Sequence, residues 1–185
     1  MSTLKVNAIQ EADGTAFNFG NWTYGTATDY TNLGANTDLS FSGWPTTWQK
    51  IKISFTNVSS ASNAYIQYFV SKSSTASNRI QSGYNVWTGY FGTSDSANST
   101  GSDNNMARFS YTADSNYSMT GWVDFEKFSS TRILMSGSLM ASGYYQYHSQ
   151  GYVDCDPTTD MTHIFFRCQG LSYDSGIWKL DYATS

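Results

Sequence analysis

Apolar and polar residues alternate along much of this chain with a period of two, the pattern of strands that bury one face. The clearest case is Gln49 to Phe55. Ile51, Ile53 and Phe55 share one face and Lys50, Lys52 and Ser54 the other, which predicts a half-buried antiparallel strand. Asn57 to Asn63 reads as a polar turn. The next segment, Tyr65 to Val70, is apolar on both parities, so it predicts a more deeply buried strand, paired with the first as a hairpin. Residues 20–40 read as loop with short strands. Gly83–Phe91, Ala107–Thr112, Gly121–Phe128 and Arg132–Met140 continue the strand pattern. Met161–Cys168 sets Ile164, Phe166 and Cys168 on one face, and Gly176–Tyr182 does the same with Trp178, Leu180 and Tyr182. Gly92 to Asn105 reads as an exposed polar loop.

No segment carries apolar residues at helical i, i+3, i+4 spacing. Pro45 and Pro157, the two prolines, both fall in turn contexts. About eight or nine strands bounded by Gly, Asn, Asp and Ser predict an all-β, antiparallel β-sandwich of jelly-roll type. No internal period marks a repeat protein. The sandwich is expected over residues 21–185, after an extended arm over residues 1–20. Leu4, Val6 and Ala8 share one parity there, and Asp13-Gly14 is a turn signal that would close a small hairpin onto Phe17 and Phe19. An arm without a partner strand of its own suggests docking onto something larger.

Composition narrows the function classes. Of the 185 residues, 13% are charged and 17% aromatic, the opposite of a disordered composition. The net charge of −4 excludes phosphate neutralisation as a binding mode, so no nucleic-acid partner is expected. It equally disfavours a polybasic membrane-surface protein. No stretch approaches the roughly 20 apolar residues that span a bilayer, so no membrane insertion is expected. The opening residues lack the charged and apolar regions of a secretory signal. That predicts folding in a cytoplasm, with Cys155 and Cys168 reduced.

Candidate chemistry is sparse. The histidines are His148 and His163. His163 lies five residues before Cys168, an odd spacing that puts the two on opposite faces of a strand. Neither histidine lies in a nucleophile elbow. Glu11 and Glu126 are the only glutamates, and the aspartates fall in turns, which disfavours a glycosidase pair. The acidic turn Asp154-Cys155-Asp156-Pro157-Thr158-Thr159-Asp160 lacks the glycine and distal glutamate of a calcium loop, and Asp95 to Asp103 reads the same way. No catalytic residue, metal site or cofactor is predicted. Gly143 to His148 concentrates Tyr144, Tyr145 and Tyr147 in a loop-like stretch. These rings suit either a sugar or receptor contact, or the sandwich core and a subunit interface.

Three segments carry a family likeness. Leu39 to Ser59 contains Phe41-Ser42-Gly43-Trp44-Pro45, then the Lys/Ile-rich strand Lys50-Ile51-Lys52-Ile53, then Phe55-Thr56-Asn57-Val58-Ser59. It resembles a pattern of bacteriophage tail-fibre and related virion proteins, a Phe-(Ser/Thr)-Gly-apolar-Pro turn and a strand ending near Phe-Asn-Gly-Val-Ser. Here no glycine follows Asn57. Asp174 to Tyr182 is similar to the closing strand of that family. Ser2 to Gln10 resembles the N-terminal motif of many marine and cyanobacterial phage structural proteins. The likeness implies a non-enzymatic virion structural protein, a homotrimeric tail fibre or receptor-binding protein. Its arm, with apolar Leu4, Val6 and Ile9, would anchor it to other virion proteins of tail or capsid, and a host surface glycan is a candidate partner. A capsid decoration protein (cement or head fibre) and a cellular carbohydrate-binding module are the alternatives.

Overall fold

The computed structural model describes residues 21–26, 28–29, 38–60, 66–91, 96–100, 107–109, 118–141, 145–168 and 173–184. Thirteen strands follow one another there: β1 (Asn21–Tyr24), β2 (Thr28–Asp29), β3 (Asp38–Phe41), β4 (Trp48–Ser60), β5 (Ile66–Ser71), β6 (Tyr84–Phe91), β7 (Ser96–Thr100), β8 (Ala107–Arg108), β9 (Met119–Ser129), β10 (Arg132–Ala141), β11 (Tyr145–Asp154), β12 (His163–Cys168) and β13 (Tyr173–Thr184). A single 3-10 turn, Ala76–Asn78, is the only helical element among the described residues.

The strands form two antiparallel sheets. A nine-stranded sheet runs β1-β13-β4-β9-β10-β11-β6-β7, with β2 also on β13, and a four-stranded sheet runs β3-β12-β5-β8. Eight of these strands are nested in pairs: β1 with β13, β3 with β12, β4 with β9, and β5 with β8. Nested pairs that alternate between two sheets are one long hairpin rolled up, which is the jelly roll expected from the sequence. Two hairpins are inserted into the roll, β6–β7 between β5 and β8 and β10–β11 between β9 and β12. They pair with each other through β11 and β6, and so extend the large sheet beyond β9.

Three sequence expectations change. The strands now seen as β4 and β5 do not form a hairpin: β4 lies between β13 and β9, and β5 lies in the opposite sheet between β12 and β8. Burial of all six β5 positions suits a strand covered on both faces. The polar turn expected from Asn57 is the continuation of β4 to Ser60. A bulge there holds Asn57 at a φ of 55°, a conformation that Asn tolerates better than most residues. Its carbonyl accepts the Ser175 hydroxyl at 2.8 Å, which ties the bulge to β13. Lastly, the polar stretch after residue 92 contains β7, paired with β6. The arm, with Leu4, Val6, Ile9 and its Asp13–Phe19 hairpin, lies outside the described residues, as do Tyr111, Asp95 and Asp103.

Rings fill the space between the sheets. Trp178 of β13 lies 4.8 Å from Phe55 of β4, 5.0 Å from Phe166 of β12, 5.7 Å from Tyr173 and 5.9 Å from Phe41 of β3. Tyr68 of β5 extends the cluster to Phe109 at 5.5 Å and Phe125 of β9 at 6.0 Å. Trp178, Leu180 and Tyr182 do share a face, opposite Phe55, Ile53 and Ile51 in register. Hydroxyls add polar ties across the core. Val70 N–H donates to the Tyr84 hydroxyl at 2.9 Å, and the Tyr68 and Ser149 hydroxyls meet at 2.7 Å. Burial raises the pKa of both tyrosines, so both hydroxyls keep their protons. On the outer side of the small sheet Arg167 forks onto Asp38 at 2.6 and 2.7 Å, with its guanidinium 5.3 Å from the Phe69 ring.

Gly43 turns the chain out of β3 toward β4 with a φ of 101°, which L side chains avoid. Gly43→Ala therefore destabilises by about 1–2 kcal/mol, although the space at its Cβ position is open. Trp178→Ala is expected to cost about 3–5 kcal/mol. Trp178→Phe loses much less, because the buried indole N–H has no partner to forfeit. Chemical denaturation of the three variants checks this order; equal losses for Trp178→Ala and Trp178→Phe would contradict it.

Candidate functional site

The extension of the large sheet turns one face outward from the core, and strand alternation decides what it shows. Val123 and Phe125 of β9, Ile133, Met135 and Leu139 of β10, Tyr147 and Val153 of β11, and Tyr84 and Val86 of β6 all face inward and are buried. The residues between them face out, and the register lines them up in rows. One row is Ser54, Trp122, Ser138, His148 and Gly89. The next is Lys52, Asp124, Ser136, Gln150 and Trp87. The third is Lys50, Glu126, Leu134, Tyr152 and Asn85, closed by a 3.2 Å hydrogen bond from the Asn85 amide to the Tyr152 hydroxyl.

Between Trp87 and Trp122 these rows enclose a groove of about 430 Å³, floored by Ser136, Gly137, His148, Ser149 and Gln150. That volume falls within the range of small-ligand sites. A second hollow of about 200 Å³ adjoins it at Ser136 and Gln150 and is lined by Asp124, Glu126, Leu134, Met135 and Gly151. Charge is unevenly placed around the two. Lys50 pairs with Asp124 Oδ2 at 3.0 Å, and Lys52 lies 5.1 Å over the Trp122 ring. Asp124 Oδ1 is buried with no hydrogen-bond partner.

Trp87 owes its pose to a glycine. A Cβ built at Gly89 would stand 2.6 Å from Trp87 Cη2 and 3.0 Å from Cζ2, so the indole lies down over the bare backbone two residues along its own strand. It remains 37% exposed. An aromatic side chain lying on a sheet with its outer face open is a platform for a flat ligand.

Of the residues singled out from sequence, His148 lines the groove, whereas Tyr147, His163 and the two cysteines fall elsewhere. Tyr147 belongs to the core, only 6% exposed, because odd-numbered residues of β11 point inward. The stretch expected to be loop-like is, from Tyr145 on, a strand. Tyr144 lies outside the described residues. His163 and Cys168 sit on opposite faces of β12, as their spacing required. Burial and the surrounding aspartates push the Cys155 thiol up to about 12, and burial raises Cys168 to about 11, so neither is a ready nucleophile. In the acidic turn the carboxylates are engaged within the protein. Asp156 accepts the Thr158 and Thr159 N–H groups at 2.7 and 3.3 Å, Asp154 holds Arg132, and Asp160 holds Lys72. No cluster of His, Cys, Asp and Glu suited to a metal ion occurs among the described residues.

Trp87, Trp122, Gln150 and the Asp124–Glu126 pair were missed in the sequence. The signal was present as parity: Trp87 alternates with buried Val86 and Thr88, and Trp122 with buried Val123. No family model, curated protein or solved structure matches this chain.

His163 gives a pH test of the fold. Its Nδ1 meets the Thr162 hydroxyl at 2.9 Å, and burial lowers its pKa below the ordinary 6.5. As pH falls below about 6.5 the unfolded chain takes up a proton that the native state resists, so stability falls. Thermal melts from about pH 7 to pH 5 should show a shallower loss for His163→Gln than for the native chain. Identical slopes would remove His163 from the account.

Proposed function

We propose that this chain is a non-enzymatic structural protein of a bacteriophage virion. In this reading it is a trimeric tail fibre or receptor-binding protein, anchored by residues 1–20 and turning the outer face of its large sheet toward the host. One observation carries the reading. The two body segments that resemble tail-fibre proteins, 39–59 and 174–182, are far apart in sequence yet include β4 and β13, which pair along their length through Phe55–Trp178, Ile53–Leu180 and Ile51–Tyr182. The likeness thus falls on one contiguous piece of the core, as a shared folding element would. The jelly roll supports the same reading, because viral capsid proteins and lectins use it repeatedly. Buried, raised-pKa thiols and a His163 remote from Cys168 favour binding over nucleophilic catalysis.

A capsid decoration protein would share every one of these features and differ only in its place on the particle. A carbohydrate-binding module is the second reading, and the groove between Trp87 and Trp122 is the observation that favours it.

The test pairs the full chain with one lacking residues 1–20. Light scattering of the full chain is expected to give about three times 20.5 kDa. The shortened chain should remain folded and soluble but fail to join particles. Normal occupancy of the shortened chain on particles would refute the anchoring role, and a monomer for both the full and the shortened chain would move the reading to the carbohydrate-binding module.

A further inference from the structure

The geometry points to a neutral glycan chain as the occupant of the groove between Trp87 and Trp122, and we propose that it binds there by ring stacking and hydroxyl hydrogen bonds. This names the ligand class of the attachment face described above, and it rests on that reading for the ligand's source, a polysaccharide of the host surface.

A pyranose ring offers C–H groups on its faces and hydroxyls around its rim. Indole faces are electron-rich and attract such C–H groups, and the groove has an indole at each wall. The floor between them carries the Ser136 hydroxyl and the exposed Gln150 amide. Hydroxyl and amide both donate and accept, which is what a sugar hydroxyl requires of a partner.

Charge decides against other ligands. No Lys, Arg, Asp or Glu lines this groove among the described residues, so a phosphate, sulfate or uronate would find no Lys or Arg in its lining to pair with. Lys50 is paired with Asp124, and Lys52, at the far end of the row that holds Ser136, Gln150 and Trp87, lies over the Trp122 ring. A chain extending past Ser136 and Gln150 would enter the hollow of Asp124 and Glu126. Those carboxylates repel a polyanion and accept from hydroxyls.

Gly89 makes the argument testable without touching the ligand. Any side chain there meets the Trp87 ring at 2.6 Å and lifts it off the sheet. The ring is the free end of a flexible side chain, so the strand tolerates the change and only the platform is lost.

The experiment presents the full chain to an array of neutral bacterial polysaccharides and hexose oligosaccharides, printed beside sialylated, uronic-acid and phosphorylated glycans. Calorimetry on the best-bound glycan follows. Binding confined to neutral glycans is expected. Trp87→Ala and Trp122→Ala should each weaken it about tenfold or more, while Trp87→Phe keeps it within about threefold. Gly89→Ala should fall with Trp87→Ala, and unchanged melting of the Trp87 and Gly89 variants would show that the fold is intact. Binding of no neutral glycan, preference for acidic glycans, or native affinity in both Trp87→Ala and Gly89→Ala overturns the proposal. Incorporation of the same variants into particles separates the two readings. Absent glycan binding with normal incorporation overturns the groove alone, and glycan binding without incorporation overturns the virion reading alone.

Discussion

The packing of Trp178 against Phe55 and Phe166 is the contact on which the rest of this structure depends. Its strand is the last of the chain and pairs with β1, β2 and β4. Its ring reaches across to β3 and β12 in the other sheet. One side chain thus fixes the separation of the sheets where the rolled hairpin closes on itself. Burying an indole contributes strongly because many dispersion contacts add to the area removed from water. The partner rings meet it edge-on or tilted, which holds their relative orientation as well as their distance.

Closure of the roll leaves β9 with a free edge on its far side, and an unpaired edge invites association with another chain. Here the inserted hairpins β10–β11 and β6–β7 continue the sheet from that edge. The inner faces of β10, β11 and β6 are apolar and join the core; their outer faces carry mostly polar residues and Trp87, which stands across the groove from Trp122 of β9. The groove is therefore a product of the insertions. The jelly roll supplies a rigid base, and the added strands supply the surface that differs from it. A site built on regular strands is held more closely than one on loops, since each side chain's place is set by two neighbouring ladders.

Much of the fold could be read directly. Strict alternation in Gln49–Phe55 gave the right face for Ile51, Ile53 and Phe55, and the doubled apolar pattern of Tyr65–Val70 correctly foretold a strand covered on both sides. The hairpin between them was misjudged because a polar connection has the same composition whether it returns along one sheet or crosses to the other. Asn57 looked like the start of a turn, yet it is a bulge, and Asn accommodates the same left-handed φ in both settings. The site was less legible. Tyrosines clustered along Tyr144–Tyr147 drew notice by their density, whereas density says nothing about which face of a strand a ring occupies.

By itself the sequence determined the class of structure and the sorting of residues into inner and outer faces, because a period of two is a local property that each segment states for itself. It also determined the sparse charge that shapes what such a protein can bind. Only the tertiary structure decided which strands are neighbours, and hence that Trp87, Trp122, His148 and Gln150, drawn from three strands, line one groove. Pairing depends on contacts between residues far apart in the chain, and no local pattern encodes the partner. The same holds for segments 39–59 and 174–182. Separate in sequence, they became one ladder only when β13 returned to lie against β4.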